Sequence, residues 1–315
     1  MSLYEFSAKL ARQQILSKRE TPMKFANILV ISDQQDKDQM ALAHAKSMVE
    51  RYGAKLHVVA FTYQDLKSAS VTLSEEQILA AQAKVLASHQ QWLDQQITKE
   101  NLQTHADSEV VWEKNIAKWT INHCAANAYD LIIKTGHRSE GLLYVPTDWH
   151  LLRNNKVPVL LVAEKKWRKK QAILVALDLA TRIKSKQVLN KKLLDAGILL
   201  SASSQMPLHI CCSVAVSAVL KDLGLVNKND EVKAARLKYR PLIEQMLGEY
   251  CVPPEHIHIN LGNPAKVIPS VASKSGAALV IIGSIGRKGL KAKLLGNTAE
   301  SVLALLKTDI LIIQP

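Results

Sequence analysis

The stretch Ala278-Leu-Val-Ile-Ile-Gly283-Ser-Ile-Gly286-Arg-Lys-Gly289-Leu-Lys-Ala-Lys-Leu-Leu-Gly296-Asn-Thr-Ala-Glu300 decides the fold. Its first five residues are an aliphatic run suited to a strand covered on both faces. The glycines follow that run directly, and Val302, Leu305 and Leu306 beyond them mark a helix. Gly283 and Gly286 carry no Cβ, so their N–H groups can approach phosphate oxygens. Gly296-Asn297-Thr298 opens the helix, whose free N–H groups and positive dipole end favour an anion. Arg287, Lys288, Lys291 and Lys293 add positive charge. A tight connection would also use glycines, but this loop lies between strand and helix, as phosphate binding requires.

Upstream, the same alternation continues. Ala172–Leu177 reads as a strand ending at Asp178, and Leu189, Leu193, Ala196 and Leu200 mark a helix. Leu208–Ser213 and Ile257–Asn260 read as strands, with a long helix between them from Val232 to Met246 and a kink expected at Pro241. Pro264–Ser275 is a helix and Asp309–Ile313 the last strand.

The first half repeats this plan. Its strands are Asn27–Ile31, Leu56–Phe61, Ala106–Val111, Asp130–Lys134 and Pro158–Ala163. Ala41, Ala45, Met48 and Tyr52 mark a helix that Gly53 ends, and Ser74 to Gln77 is a capping box opening a long one. That long helix carries the apolar pairs Ile78/Leu79, Val85/Leu86 and Trp92/Leu93, and Ile116–Ala126 is a further helix. Strands alternating with helices imply parallel sheets with right-handed crossovers. The fold class is α/β, with two tandem doubly wound domains, each a five-stranded parallel sheet with helices on both faces. The expected divisions are a helical arm over 1–23, a first domain over 24–164, a basic linker over 165–170 and a second domain over 171–315. Lys165, Lys166, Arg168, Lys169 and Lys170 read as a solvated run.

The net charge of +13 favours phosphate-bearing partners. Aromatic residues make up only 5%, which argues against nucleic acid as the main partner. The absence of a membrane-length apolar run, and of a signal-type segment before Pro22, points to a cytoplasmic protein. Cys124, Cys211, Cys212 and Cys251 form no CxxC, and buried free thiols are the simplest reading. Cys211 and Cys212 are neighbours on a strand and point to opposite faces. His256 and His258 could share a face, yet two histidines alone read as surface residues rather than a metal site. No nucleophile elbow, Walker loop or kinase set is present, and Ser284 has no visible paired base.

The spacing Gly283, two residues, Gly286, nine residues, Gly296, then a small polar residue resembles the signature of the universal stress protein family. Asn297 stands where that family usually has Ser or Thr, with Thr298 next. The resemblance covers about residues 24–315. Pro146-Thr-Asp-Trp-His-Leu-Leu-Arg153 and Gly296-Asn-Thr-Ala-Glu300 look like its tandem E subgroup. It implies ATP or another adenine nucleotide, with or without magnesium. Gly283, Gly286, Arg287, Gly296, Asn297 and Thr298 would lie at the phosphates, and Asp178 near base or ribose. It also implies an internal pseudo-dimer made largely through the strands Pro158–Ala163 and Asp309–Pro315, with further pairing of chains left open.

Aligning Asp130–Lys134 with Ala278–Ile282 places Thr135 opposite Gly283, Arg138 opposite Gly286 and Asp148 opposite Gly296. All three glycines are replaced, and Asp148 would set a carboxylate against a phosphate. The first half is therefore expected not to bind nucleotide in the same way. Asp33 ends its first strand as Asp178 does, and reads as a turn or cap residue. Pro146–His150 could shape a different pocket or an interface, with Trp149 as packing and His150 as a core histidine or a contact to the other domain. The expected role is regulatory rather than catalytic, with at most slow ATP hydrolysis. The rivals are an interaction scaffold without nucleotide, and a carrier of an apolar or phosphorylated metabolite in the first domain.

Overall fold

The computed structural model describes residues 25–66, 74–136, 150–152, 155–163, 171–214, 228–285, 297–306 and 308–315, with the backbone alone at 228 and 297–300. The arm over 1–23, the basic linker, Arg138, Asp148 and Trp149 lie outside the described residues. Two compact units separate between Glu164 and Lys165.

In the first unit the strands are β1 (Asn27–Ile31), β2 (Lys55–Thr62), β3 (Ala106–Trp112), β4 (Leu131–Thr135) and β5 (Val159–Val162). The helices are α1 (Met40–Tyr52), α2 (Glu75–Lys99) and α3 (Ile116–Ala126). The sheet order is β3-β2-β1-β4-β5, with every pair parallel. The chain winds outward from β1 to one edge, then returns to β4 on the other side. That reversal opens a crevice beyond the carboxyl ends of β1 and β4.

The second unit repeats the winding. Its strands are β6 (Ala172–Leu177), β7 (Leu208–Val214), β8 (Ile257–Leu261), β9 (Ala277–Gly283) and β10 (Asp309–Ile313). Its helices are α4 (Lys184–Ser204), α5 (Lys228–Leu247), α6 (Pro264–Ser275) and α7 (Asn297–Leu305). The order is β10-β9-β6-β7-β8, again all parallel. Here the reversal falls between β6 and β9.

The central strands are aliphatic because both faces are covered. Ile28, Leu29, Val30, Ile132, Ile133, Ile173, Leu174, Val175, Val280 and Ile281 are all fully buried. Several local signals act as read. Gly53 ends α1 at φ 63, a left-handed cap conformation that glycine adopts without strain. Ser74 Oγ accepts from the Gln77 N–H at 3.2 Å, and Gln77 Oε1 accepts from the Ser74 N–H at 2.9 Å.

Of the apolar pairs along α2, Leu93 is fully buried, Ile78, Val85, Leu86 and Trp92 are partly buried, and Leu79 is 65% exposed. Helix α5 is one helix of 20 residues, and Pro241, where the kink is expected, lies inside it. No helix among the described residues is long and apolar enough to cross a membrane.

Candidate functional site

The candidate site is built where β6 and β9 end. The N–H of Asp178 donates to Asn190 Oδ1 at 3.0 Å, and Asn190 Nδ2 donates to the Asp178 carbonyl at 2.8 Å. Asn190 is buried on α4 and holds the strand end against that helix through its amide. Sequence reasoning missed this residue. Its signal is a polar side chain beside Leu189 within an otherwise apolar helical stripe. The Asp178 carboxylate is half-exposed and pairs with Lys186 Nζ at 3.0 Å. It is open to a ligand hydroxyl only if that exposed ion pair yields, which is inexpensive.

Gly283 is the last residue of β9, in register with Ile313 of β10. A Cβ there would stand 2.6 Å from Leu189 Cδ2 and 3.3 Å from Leu193 Cδ1. A larger residue there would press on Leu189 and Leu193 of α4, whatever else binds nearby. Ser284 follows, its N–H bonded to the Ile313 carbonyl at 2.9 Å. Its side chain is 2% exposed and Oγ has no hydrogen-bond partner among the described residues. A buried hydroxyl left unpaired costs about 1–3 kcal/mol. Gly286, Arg287 and Gly296 lie outside the described residues. Asn297 and Thr298 are placed by backbone alone, as the first two residues of α7.

Cys212, at the end of β7, is buried, and that burial pushes its thiol up to about 11, with the Asp178 carboxylate adding to the effect. Burial pushes Cys211 to about 12 and Cys124 to about 11. These thiols stay protonated at neutral pH and are poor nucleophiles. Cys251 departs from the buried-thiol expectation and is exposed.

At the equivalent place in the first unit, hydrogen bonds tie the strand ends to one another and to the start of α1. Gly136 N–H bonds the Val162 carbonyl at 2.9 Å, the counterpart of the Ser284–Ile313 bond, so Thr135 occupies the position of Gly283. Its hydroxyl donates to Asp33 Oδ2 at 2.8 Å, and the same oxygen lies 3.4 Å from the Ala41 N–H at the start of α1. Gln39 accepts from Ser32 Oγ at 3.0 Å and from the Asp33 N–H at 3.2 Å. It donates to the carbonyls of Asp33, Gln34 and Lys37. Asp33 is thus a buried tie between β1, β4 and α1. His150 is exposed, which removes the core-histidine alternative for it.

The histidines of the second unit also differ from expectation. His256 and His258 are not isolated surface residues. His209 of β7 meets both: its Nδ1 lies 2.9 Å from His258 Nε2, and its ring stacks on His256 with centroids 3.9 Å apart. Burial, then the neighbouring His256 and His258, hold the His209 pKa down to about 4. Burial and His256 lower that of His258. The β7–β8 register, with Cys211 opposite His258, makes this contact, and no spacing in the sequence announces it.

Compared with known proteins, residues 24–163 and 170–314 each match the universal stress protein family. A universal stress protein E homolog from Haemophilus influenzae is 30% identical over 304 residues, spanning 93% of this chain and 98% of that protein. Universal stress protein E from Escherichia coli K12 is 29% identical over 301 residues, spanning 92% and 94%. Among solved structures, a putative universal stress protein from Pseudomonas aeruginosa superposes with a TM-score of 0.67 at 24% identity, over 92% of this chain and 94% of that one. One from Archaeoglobus fulgidus gives 0.61 at 16% identity, over 93% and 97%. These structural likenesses speak for the fold, while the two family matches span nearly the whole chain: it belongs to the universal stress protein family, as a tandem of two such domains.

Proposed function

We propose that the chain is a regulatory stress-response protein of the cytoplasm that binds ATP or a related adenine nucleotide in its second domain. The observation that carries this reading is the loop itself. The spacing Gly283, Gly286, Gly296 begins at the end of β9, one flank of the β6–β9 reversal, and ends in sequence just before α7. That is the place where such sheets take ligands, and a helix N-terminus there favours phosphate. The Ser284 hydroxyl, buried and without a partner among the described residues, is consistent with a ligand oxygen at the loop. Asp178 would face the ribose or base, and Gly286, Arg287, Gly296, Asn297 and Thr298 the phosphates, with magnesium as an added counter-ion. Asp33, Thr135 and Gln39 satisfy one another at the corresponding place in the first domain, which supports a single nucleotide per chain.

The test is isothermal titration of ATP and AMP into the full chain and into Gly286→Val and Asp178→Asn variants. Gly283→Val is unsuitable, because the added methyls would strike Leu189 and could abolish binding through misfolding. One site per chain, lost or weakened at least tenfold in variants with unchanged circular dichroism, supports the reading. No heat and no thermal shift with wild-type protein would remove it, leaving a scaffold role.

A further inference from the structure

We infer that the first domain holds a binding site for a divalent transition-metal ion of the zinc type, with His57, Glu109 and His123 as its ligands. The site is assembled by register. His57 and Val59 share a face of β2, and Glu109 is the β3 partner of Val59, so His57 and Glu109 lie diagonally on one sheet face. Helix α3 covers that face. Trp119 and His123 are one turn apart on it, and Trp119 packs edge-on against Phe61 with centroids 5.2 Å apart.

One donor atom from each of His57, Glu109 and His123 lies within 4.8 Å of the other two. His57 Nε2 and Glu109 Oε1 are 3.1 Å apart, joined by a hydrogen bond. Donors on one tetrahedral zinc, each at about 2.0–2.1 Å, stand roughly 3.3 Å from one another. The first two therefore already have the coordinated separation, and a metal ion would replace the proton between them. His123 must close by no more than about 1.5 Å from its 4.8 Å limit. The His57 and His123 rings are stacked 12° from parallel with centroids 5.3 Å apart, so closure turns one ring out of the stack.

Two imidazoles and one carboxylate form a borderline donor set. It suits zinc, cobalt and nickel over calcium or magnesium, which prefer oxygen alone. Three protein ligands leave a fourth position for water or an external group. The surroundings resemble a support for ligands. His123 Nε2 is 2.9 Å from the Tyr129 hydroxyl, and its ring stacks on Trp119 at 4.3 Å. Such outer contacts fix tautomer and ring orientation. All three ligands are partly buried, which leaves a path for the ion. The cluster lies on a sheet face near the start of β2, not at the strand ends of the nucleotide reading, and stands independently of that reading.

The test is equilibrium dialysis of the full chain against zinc with elemental analysis, and cobalt titration followed in the visible range. Wild-type protein should take up one zinc per chain and give the d–d absorption of four-coordinate cobalt without thiolate bands. His123→Asn and Glu109→Gln should each weaken binding at least tenfold while the melting temperature without metal stays within a few degrees. His258→Asn should leave it unchanged. Uptake no higher than background, or uptake that survives both variants, or uptake lost with His258→Asn, overturns the assignment.

Discussion

Replacing Gly283 by alanine tests whether that glycine serves packing independently of any ligand. The new methyl would lie 2.6 Å from Leu189 Cδ2, 3.0 Å from Leu189 Cγ and 3.3 Å from Leu193 Cδ1. Comfortable carbon contacts lie at about 3.5–4.0 Å, so the overlap is close to 1 Å. Leu189 and Leu193 are 4% and 2% exposed, so neither can swing into solvent. Leu189 can yield by a rotamer change or α4 can lift, at about 1–3 kcal/mol. Removing glycine from a strand returns roughly 0.5–1 kcal/mol of backbone entropy, for a net loss centred near 1 kcal/mol and reaching about 2.5 kcal/mol. Leu189→Ala alone should cost about 2–5 kcal/mol by opening a cavity. In the double variant the alanine methyl enters that space, so the combined loss should fall short of the sum by at least about 1 kcal/mol. The assay is urea unfolding without nucleotide, followed by far-ultraviolet circular dichroism. Four of the five tryptophans lie in the first domain and the fifth, Trp167, in the linker, so with Trp167→Phe as background tryptophan fluorescence reports the first domain separately. If Gly283→Ala leaves the dichroism midpoint unchanged, or the two losses simply add, the packing argument fails.

The His209 cluster should make the second domain acid-sensitive. A histidine held at about 4 in the fold but near 6.5 when unfolded binds its proton first in the unfolded chain. Stability is thus fully present above pH 6.5 and falls as pH drops toward 4, by at most about 3 kcal/mol; urea midpoints between those pH values should show this, and His209→Gln should flatten the slope. In the first domain, Thr135→Val removes the donor to the buried Asp33 carboxylate and should cost about 1–3 kcal/mol, seen as an earlier tryptophan transition with nucleotide titrations unchanged. Ser74→Ala should lose about 1 kcal/mol of capping and raise amide exchange in the first turn of α2, with Gln77 the diagnostic amide.

Sequence alone determined the elements, the domain repeat and the place to search. Aliphatic runs such as Ala172–Leu177 and Asp309–Ile313 can only be strands buried on both faces, and their alternation with helical stripes leaves little besides parallel winding. Local caps were legible because their chemistry is contained within a few residues, as at Gly53 and in Ser74–Gln77. The reach of each glycine, polar side chain and histidine was decided only by packing across the chain. Gly283 reads the same beside a phosphate or beside Leu189, and only the approach of α4 identifies that neighbour. Asp33 and Asp178 occupy like positions, yet one is buried by Thr135 and α1 while the other stays half-exposed beside Lys186. His209 meets His258 across 49 positions of sequence, and His57 meets Glu109 across 52, through strand register. Register follows from the global burial of alternate side chains, so no local spacing can announce it.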